Sequence, residues 1–193
     1  MTELIDSLLE FSRTRASLRP TYGNLRDTVD AAIETLRSNP QFRDVPITVH
    51  ERGNLEGWFD HRKLERAFSN LFLNSCESLD SRLGHIDVSM SENASEIEIT
   101  IADNGRGVPN AIRATLFEPF VSQGKENGTG LGLTVVQKIV QDHGGEVVVE
   151  RTSPEGTVFR VTLPRPVPTL AASEQSGSED SVSTASVNST KRV

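Results

Sequence analysis

Two glycine-rich clusters constrain the fold of this chain more than any other feature. The first, AspAsnGlyArgGly (103–107), ends a segment in which Ile97, Ile99 and Ile101 alternate with other residues in the period-two pattern of a half-buried strand. The second, GlyThrGlyLeuGlyLeu (128–133), leads into a segment with helical periodicity from 130 to 143. The pattern therefore predicts a strand that ends at the first cluster and a helix that begins at the second. At both places the glycines allow the backbone to approach a neighbouring group closely.

Helical and strand patterns alternate through residues 22–165 without regular strand–helix–strand units. Helical periodicity covers residues 25–38, and a longer helix is predicted from the N-cap Asp60 to Leu79. Strand patterns cover 46–49, an edge strand around Trp58, 85–90, 96–103, 146–151 and 157–163. The sequence therefore predicts an α+β fold, a two-layer α/β sandwich in which helices cover one face of a mixed, mostly antiparallel sheet.

Composition divides the 193 residues into three parts. Residues 1–18 have the pattern of one amphipathic helix, which must pack on another helix or on the main domain, and Pro20 ends it. Residues 22–165 hold the apolar residues of a globular core. Residues 166–193 are rich in Ser and poor in large apolar residues, so we predict a disordered tail.

Charge and composition argue against several classes of protein. The net charge is −7 and Lys and Arg form no stripe, which argues against a nucleic-acid binder. The single cysteine, Cys76, cannot form an internal disulfide and lies in an apolar helical register, which indicates packing. No apolar run reaches the ~20 residues of a membrane span, and the N-terminus lacks the features of a signal peptide. We therefore predict a cytoplasmic chain without a membrane span.

Asp103 is the candidate for reading a purine base. Strand parity places it on the inward face, and a buried carboxylate needs hydrogen-bond donors. The exocyclic amine of adenine is such a donor, and Thr157 faces inward by the same parity argument. Gly105 and Gly107 would let the backbone pass close to a flat base. The alternative is that Asp103 only caps the turn that follows it.

Asn70 and Asn74 lie four residues apart on the second predicted helix and therefore project from one face. An Asn carbonyl is a hard oxygen ligand, and Mg²⁺ takes few protein ligands and completes its shell with water and phosphate oxygens. Asn74 is the candidate metal ligand, and Asn70 would position it or a phosphate. The alternative is a pair of amides that face solvent.

The second glycine cluster is the candidate phosphate cradle, because the free N–H groups and the dipole of a helix start can meet phosphates there. Its residues are Gly128, Thr129, Gly130, Leu131 and Gly132. The spacing matches neither the Rossmann fingerprint nor the P-loop. The polar segment 121–128 is predicted to close over the ligand, and its Lys125 either reaches a phosphate or serves solubility.

Taken in order, these features resemble the N, G1, F and G2 boxes of the ATP-binding catalytic domain of sensor histidine kinases. Their superfamily also includes gyrase, heat-shock chaperones of the ninety-kilodalton class and mismatch-repair ATPases. The resemblance spans roughly 22–165, and the nitrogen-regulatory type of kinase is the most similar. It rests on the Asn pair, DNGRGVP, FEPF (117–120), GTGLGL, HGG (143–145) and the closing GTVFRVTLP. LLEFSR (8–13) also resembles the end of the second dimerisation helix.

The resemblance implies ATP and Mg²⁺ as cofactors and assigns roles residue by residue. Asn74 would hold Mg²⁺ and Asp103 would read adenine. Asn70 and Lys125 would act in catalysis. The further ATP-binding residues implied are Gly105, Gly107, Phe117, Gly128, Thr129, Gly130, Leu131, Gly132 and Thr157. The implied activity is transfer of the γ-phosphoryl group of ATP to a histidine.

The implied partners are a histidine-bearing dimerisation domain, in the same chain or another, and the receiver domain of a response regulator. A homodimer is a further expectation. Sensor kinases carry a histidine followed by an acidic residue on a helix upstream of the LLEFSR segment, and none of the four histidines has that context, so we expect a chain truncated upstream of that histidine. Asn70 stands where the gyrase-like branch has a water-activating glutamate, which favours transfer to a protein. A serine kinase of the anti-sigma-factor type and an ATP-gated module without catalysis stay open as alternatives.

Overall fold

The computed structural model describes residues 18–79, 84–93, 95–121 and 130–165. Three of the predicted site residues, Lys125, Gly128 and Thr129, lie outside these ranges. The predicted helix over 1–18 lies outside them except for its last residue, and the predicted tail over 166–193 lies outside them entirely.

Seven strands and four helices follow one another along the described residues. They are β1 (Thr21–Asn24), α1 (Leu25–Arg37), β2 (Ile47–Arg52), β3 (Glu56–Phe59), α2 (His61–Ser78), β4 (Ile86–Glu92), β5 (Glu96–Asp103), α3 (Asn110–Arg113), α4 (Gly132–Asp142), β6 (Glu146–Ser153) and β7 (Gly156–Pro164). Within those ranges, none of the helices combines the length and the apolar character that crossing a bilayer requires.

Five of the strands form the central sheet in the order β2-β4-β5-β7-β6. β2 runs parallel to β4, and every other neighbouring pair is antiparallel. The inward faces of β4 and β5 carry the apolar residues that period-two alternation predicted, and each is at most 1% exposed. They are Ile86, Val88, Met90, Ile97, Ile99 and Ile101. The predicted mixed, mostly antiparallel sheet is confirmed.

The helices form a second layer on the inward face of this sheet. α2 lies between α1 and α4 and packs on β5, while α4 also packs on β6 and β7. Asp60 caps α2 as predicted, because its Oδ1 accepts a hydrogen bond from the Lys63 backbone N–H at 3.2 Å. The predicted two-layer α+β sandwich is therefore confirmed, and α2 is its central helix.

One strand lies in a different sheet from the one predicted. The segment around Trp58 is extended, but among the described strands β3 pairs with β1 alone, in a separate two-stranded antiparallel sheet. The sequence pattern did not predict β1, whose four residues are too few to show periodicity, and it did not predict the four-residue helix α3. Tyr22 faces Trp58 across the small sheet with ring centroids 5.8 Å apart.

Candidate functional site

The site residues that the structure describes lie where β5 ends, where α2 approaches its C-terminus and where α4 begins. We call the surroundings of Asp103 the Asp103 end of the site, and the surroundings of Asn70 and Asn74 the Asn74 end. Asp103 is the last residue of β5, Asn70 and Asn74 lie on α2, and Gly132 is the first residue of α4. Elements from both layers thus contribute to one region.

Asp103 is 8% exposed, which confirms the inward orientation predicted from strand parity. Its Oδ1 accepts hydrogen bonds from the Gly105 N–H at 3.0 Å, the Thr157 N–H at 3.2 Å and the Ser78 hydroxyl at 3.1 Å. Its Oδ2 has no donor among the described residues. The bond from Gly105 caps the turn, as the alternative interpretation expected, but it uses only Oδ1, and contact of Oδ2 with a base stays a prediction.

Thr157 lies beside Asp103 across the β5–β7 pair and is 3% exposed. Its hydroxyl lies 3.3 Å from the Thr152 hydroxyl, which in turn accepts a hydrogen bond from the Val108 N–H at 2.8 Å. This chain of contacts joins β6 and β7 to the loop after β5. The inward orientation predicted for Thr157 is therefore confirmed, and its hydroxyl belongs to a network within the protein.

Packing within the protein requires glycine at positions 105 and 107, in addition to the predicted approach to a base. A Cβ at Gly105 would lie 2.0 Å from the Ser78 hydroxyl oxygen, and one at Gly107 would lie 2.0 Å from the carbonyl oxygen of Ser153. Gly107 also has a φ of +73°, in the left-handed region that favours glycine. The loop after β5 therefore touches both α2 and the β6–β7 turn, and contact of either glycine with a base stays a prediction.

At the Asn74 end, the Asn74 side-chain Nδ2 donates to the backbone carbonyl of Asn70 at 2.9 Å. This bond fixes the amide, so that its carbonyl oxygen is directed away from that contact. A Cβ at Gly132 would lie 3.7 Å from Asn70 Oδ1 and 3.9 Å from Asn74 Nδ2. The structure thus brings the predicted Asn pair and the start of α4 together, as a shared phosphate and metal site requires.

The predicted cradle is described from Gly130 onward. Gly130 has a φ of +66°, and its carbonyl accepts a hydrogen bond from the Phe120 N–H at 3.0 Å, which joins the two ends of the segment between them. Leu131 is 2% exposed, and contact of this residue with a ligand stays a prediction. Phe117 is partly buried and packs on the core. A role for Phe117 toward ATP stays a prediction.

Two ionisable side chains of the helical layer have perturbed pKa values. Burial raises the pKa of the Cys76 thiol to about 12, and the carboxylates of Asp103 and Glu77 add to the effect. Cys76 is therefore a neutral packing residue, as the apolar register indicated. Burial also lowers the pKa of His143, and the hydrogen bond to the Ile139 carbonyl and the charge of Asp60 partly offset this shift.

His143 connects two helices. Its Nε2 accepts a hydrogen bond from the Asp60 N–H at 3.1 Å, and its Nδ1 lies 2.7 Å from the Ile139 carbonyl oxygen. Nδ1 can donate to that carbonyl while Nε2 accepts, which is the neutral tautomer. The end of α4 is thereby tied to the beginning of α2.

Sequence reasoning missed two residues of this region. Ser78 donates to Asp103, but its partner lies 25 positions away and no local pattern connects them. Phe120 is 70% exposed and has a φ of +65°, an uncommon value for a residue other than glycine. The FEPF segment was the available signal for Phe120, but it does not reveal backbone conformation. Among the described residues, no cluster of His, Cys, Asp or Glu has the arrangement of a metal site.

The sequence profile of the family described as histidine kinase-, DNA gyrase B- and HSP90-like ATPase matches residues 59–167, which is more than half of the chain. The chain belongs to this family. Membership of an ATPase family implies ATP binding, and it confirms the resemblance found in the sequence.

Similar proteins narrow the assignment within the family. The C4-dicarboxylate transport sensor protein DctB of Rhizobium meliloti is 36% identical over 163 residues, which are 83% of this chain and 26% of DctB. The structure of the mycobacterial sensor histidine kinase MprB matches with a TM-score of 0.66 and 26% identity, covering 76% of this chain and 100% of that one.

The structure of histidine kinase ThkA in complex with response regulator protein TrrA matches with a TM-score of 0.70 and covers 85% of this chain and 47% of that chain. At 20% identity it shows the fold alone. The chain spans 26% to 27% of the length of the first curated relatives that it matches. These matches identify an ATP-binding catalytic domain of the sensor histidine kinase type.

Proposed function

We propose that this ATPase domain transfers the γ-phosphoryl group of ATP to a histidine of a dimerisation domain, from which a response regulator receives it. The observation that carries the proposal is the meeting of Asn70 and Asn74 with the first residue of α4, close enough that one phosphate chain can reach all three. The start of a helix offers N–H groups and a positive dipole end to phosphate oxygens.

Asp103 is the residue that we assign to adenine recognition. Its Oδ1 is occupied by three donors of the protein, and its Oδ2 is the acceptor that the exocyclic amine of adenine requires. A buried carboxylate makes a charge-assisted hydrogen bond of about twice the strength of a neutral one. Gly105, Gly107 and Thr157 form the walls around it, and selection of adenine over guanine follows because guanine carries an acceptor at the same ring position.

The residues at the Asn74 end fit Mg²⁺. The carbonyl of Asn74 is a hard oxygen ligand whose amide is already fixed by Asn70, and phosphate oxygens and water would fill the other positions. The absence of a carboxylate cluster among the described residues agrees with a metal held mainly by ATP. When bound, Mg²⁺ neutralises charge on the phosphates. Asn70 would position this site, and Lys125 would meet the phosphates from the segment before the cradle.

Asn70 is also the reason to propose transfer to a protein. Hydrolysis needs a base that activates water, and a side-chain amide has no basic group at neutral pH. Phosphoryl transfer instead depends on positioning and electrostatic stabilisation. We further propose a cytoplasmic domain that acts on a histidine-bearing dimerisation domain in a homodimer. The relatives named as sensor histidine kinases support the kinase activity, and the complex of ThkA with TrrA supports a response regulator as the next partner. Nucleic acid is not a proposed partner.

The test is labelling with γ-³²P-ATP of the chain alone and of the chain mixed with a separate dimerisation domain that carries the histidine. We expect label on the added domain that is lost in acid and kept in alkali, because phosphohistidine is acid-labile. A matched dimerisation domain with His→Gln should stay unlabelled. Label that survives acid would indicate the serine kinase instead, and ATP binding without label on any partner would indicate the ATP-gated module.

A further inference from the structure

Ser78 contacts the one residue that the proposed function assigns to the base, and it does so from the opposite layer of the fold. Its hydroxyl donates to Asp103 Oδ1 at 3.1 Å and lies 2.8 Å from the Ser75 carbonyl oxygen. A hydroxyl has one hydrogen, and an ionised carboxylate is the stronger acceptor of the two. The Ser78 hydroxyl is therefore a polar donor to Asp103 at the last residue of α2.

The three donors to Asp103 Oδ1 come from two directions. Gly105 belongs to the turn after β5 and Thr157 belongs to β7, so both backbone donors approach from the sheet layer. Ser78 approaches from the helix layer. The terminal torsion of an Asp side chain has a broad energy profile, so donors on one side leave the carboxylate free to rotate. Donors from both layers fix the rotation.

The backbone of Ser78 holds the same turn independently of the hydroxyl. The Arg106 N–H donates to the Ser78 carbonyl at 3.1 Å, and a Cβ at Gly105 would lie 2.6 Å from that carbonyl oxygen. Ser78→Ala removes the hydroxyl and keeps both backbone contacts. The variant therefore separates the hydrogen bond to Asp103 from the packing of the turn on α2.

We propose that Ser78 is a positioning residue for base selectivity, whose hydroxyl turns the Asp103 carboxylate so that Oδ2 faces the exocyclic amine of adenine. This proposal rests on the proposed function, because it assumes that Asp103 reads the base. It assigns to Ser78 no contact with the nucleotide, so its whole effect passes through Asp103. The predicted signature is a loss of selectivity for the amine while binding of the phosphates stays unchanged.

The experiment compares dissociation constants, measured by calorimetry, for ATP and for purine riboside 5′-triphosphate, which lacks the amine. We expect Ser78→Ala to weaken ATP binding about three- to tenfold, the range for loss of part of a charge-assisted hydrogen bond. Binding of the purine riboside nucleotide should be unchanged. Ser89→Ala, at an exposed serine of β4, is the matched control and should change neither constant.

A double-mutant cycle tests the route of the effect. In an Asp103→Asn background, Ser78→Ala should leave ATP affinity nearly unchanged, because the acceptor through which it acts is already gone. Equal weakening of both nucleotides by Ser78→Ala, or ATP binding at the wild-type level, would overturn the proposal for Ser78 alone. If wild-type protein does not prefer ATP over the purine riboside nucleotide, the assignment of Asp103 in the proposed function is wrong and the role of Ser78 falls with it.

Discussion

At the Asp103 end of the site the protein supplies three hydrogen bonds to one buried oxygen, whereas at the Asn74 end it supplies two partly exposed amides and the start of a helix. The first arrangement is fixed before any ligand arrives. The second offers few ligands of its own and suits a group that brings its own charge and metal. Under the proposed function, selectivity for the base would reside at the Asp103 end, while the phosphates and Mg²⁺ would complete the Asn74 end.

The difference has a cause in the fold. Asp103 ends a central strand of the sheet with neighbours on both sides, so its surroundings are covered by β7, by α2 and by its own turn. Asn70 and Asn74 lie on one face of α2 beside the first residue of α4, and both are partly exposed. Rigidity at one end and openness at the other therefore follow from where each residue stands in the two layers.

The largest effect is expected from adding a methyl group to the turn at the Asp103 end. Gly107→Ala should lower the free energy of unfolding by about 2–4 kcal/mol, because it combines a left-handed backbone with overlap on a backbone oxygen. Chemical denaturation measures it. Gly144→Ala is the control, since Gly144 has a φ of +75° but its Cβ would lie 3.4 Å from Pro164. Equal losses in the two variants would contradict a close-packed turn.

The second-largest effect, a loss of ATP affinity, is expected from Asp103→Asn. Three donors converge on Oδ1, so the amide oxygen must take that position and the NH₂ group then faces the adenine amine. A donor opposite a donor should weaken ATP binding by about 1.5–3 kcal/mol, the range for a charge-assisted hydrogen bond. Calorimetry measures the affinity, and a melting curve verifies that the variant is folded. Unchanged ATP affinity would show that Asp103 does not read the base.

Asn74→Ala tests the role of the Asn74 end of the site in binding the metal. We expect it to remove the gain in ATP affinity that Mg²⁺ produces and to leave binding of ADP without metal nearly unchanged, because the amide oxygen acts on the metal and not on the base. Titrations with and without Mg²⁺ measure both quantities, and Asp103→Asn is the opposite control, which should lower affinity whether or not the metal is present. Equal Mg²⁺ dependence in wild type and Asn74→Ala would place the ligand elsewhere.

Periodicity predicted those parts of this fold that depend on burial alone. The inward residues of β4, β5 and α4, and the burial of Asp103 and Thr157, follow from period-two and helical patterns. The small sheet did not follow, because β1 is four residues long and its partner β3 lies far along the chain, as the pairing of Thr21 with Phe59 shows. Short elements whose position is set by tertiary contacts leave no periodic signal.

The features of the site also fall into those that the sequence predicted and those that it did not. Glycine spacing and the Asn pair indicated which residues would meet, and the structure brings Asn70, Asn74 and Gly132 together. The Ser78 hydroxyl and the left-handed backbone of Phe120 were beyond sequence reasoning, because each depends on a partner distant in the chain. Gly105 and Gly107 show a third case, in which the residue type was informative but the tight contact proved to be with the protein itself.

The smallest effect concerns the connection between α4 and α2, which lies away from both ends of the site. Burial holds the pKa of His143 below its ordinary value, so the unfolded chain takes up a proton at this residue before the folded chain does. Stability contributed by the neutral imidazole is present above about pH 6.5 and is lost as the pH falls through that value toward the folded pKa. Protonation also removes the lone pair that accepts from the Asp60 N–H.

His143→Gln should therefore show a smaller loss of stability than wild type between about pH 7.5 and about pH 5.5, measured by chemical denaturation at each pH. A glutamine can still accept from Asp60 but does not titrate. His50→Gln, at an exposed position of β2, is the control and should behave as wild type. The affinity for ATP should change little, because His143 connects the two helices and lies away from both ends of the site. The same acid-induced loss in His143→Gln and wild type would mean that other groups carry it.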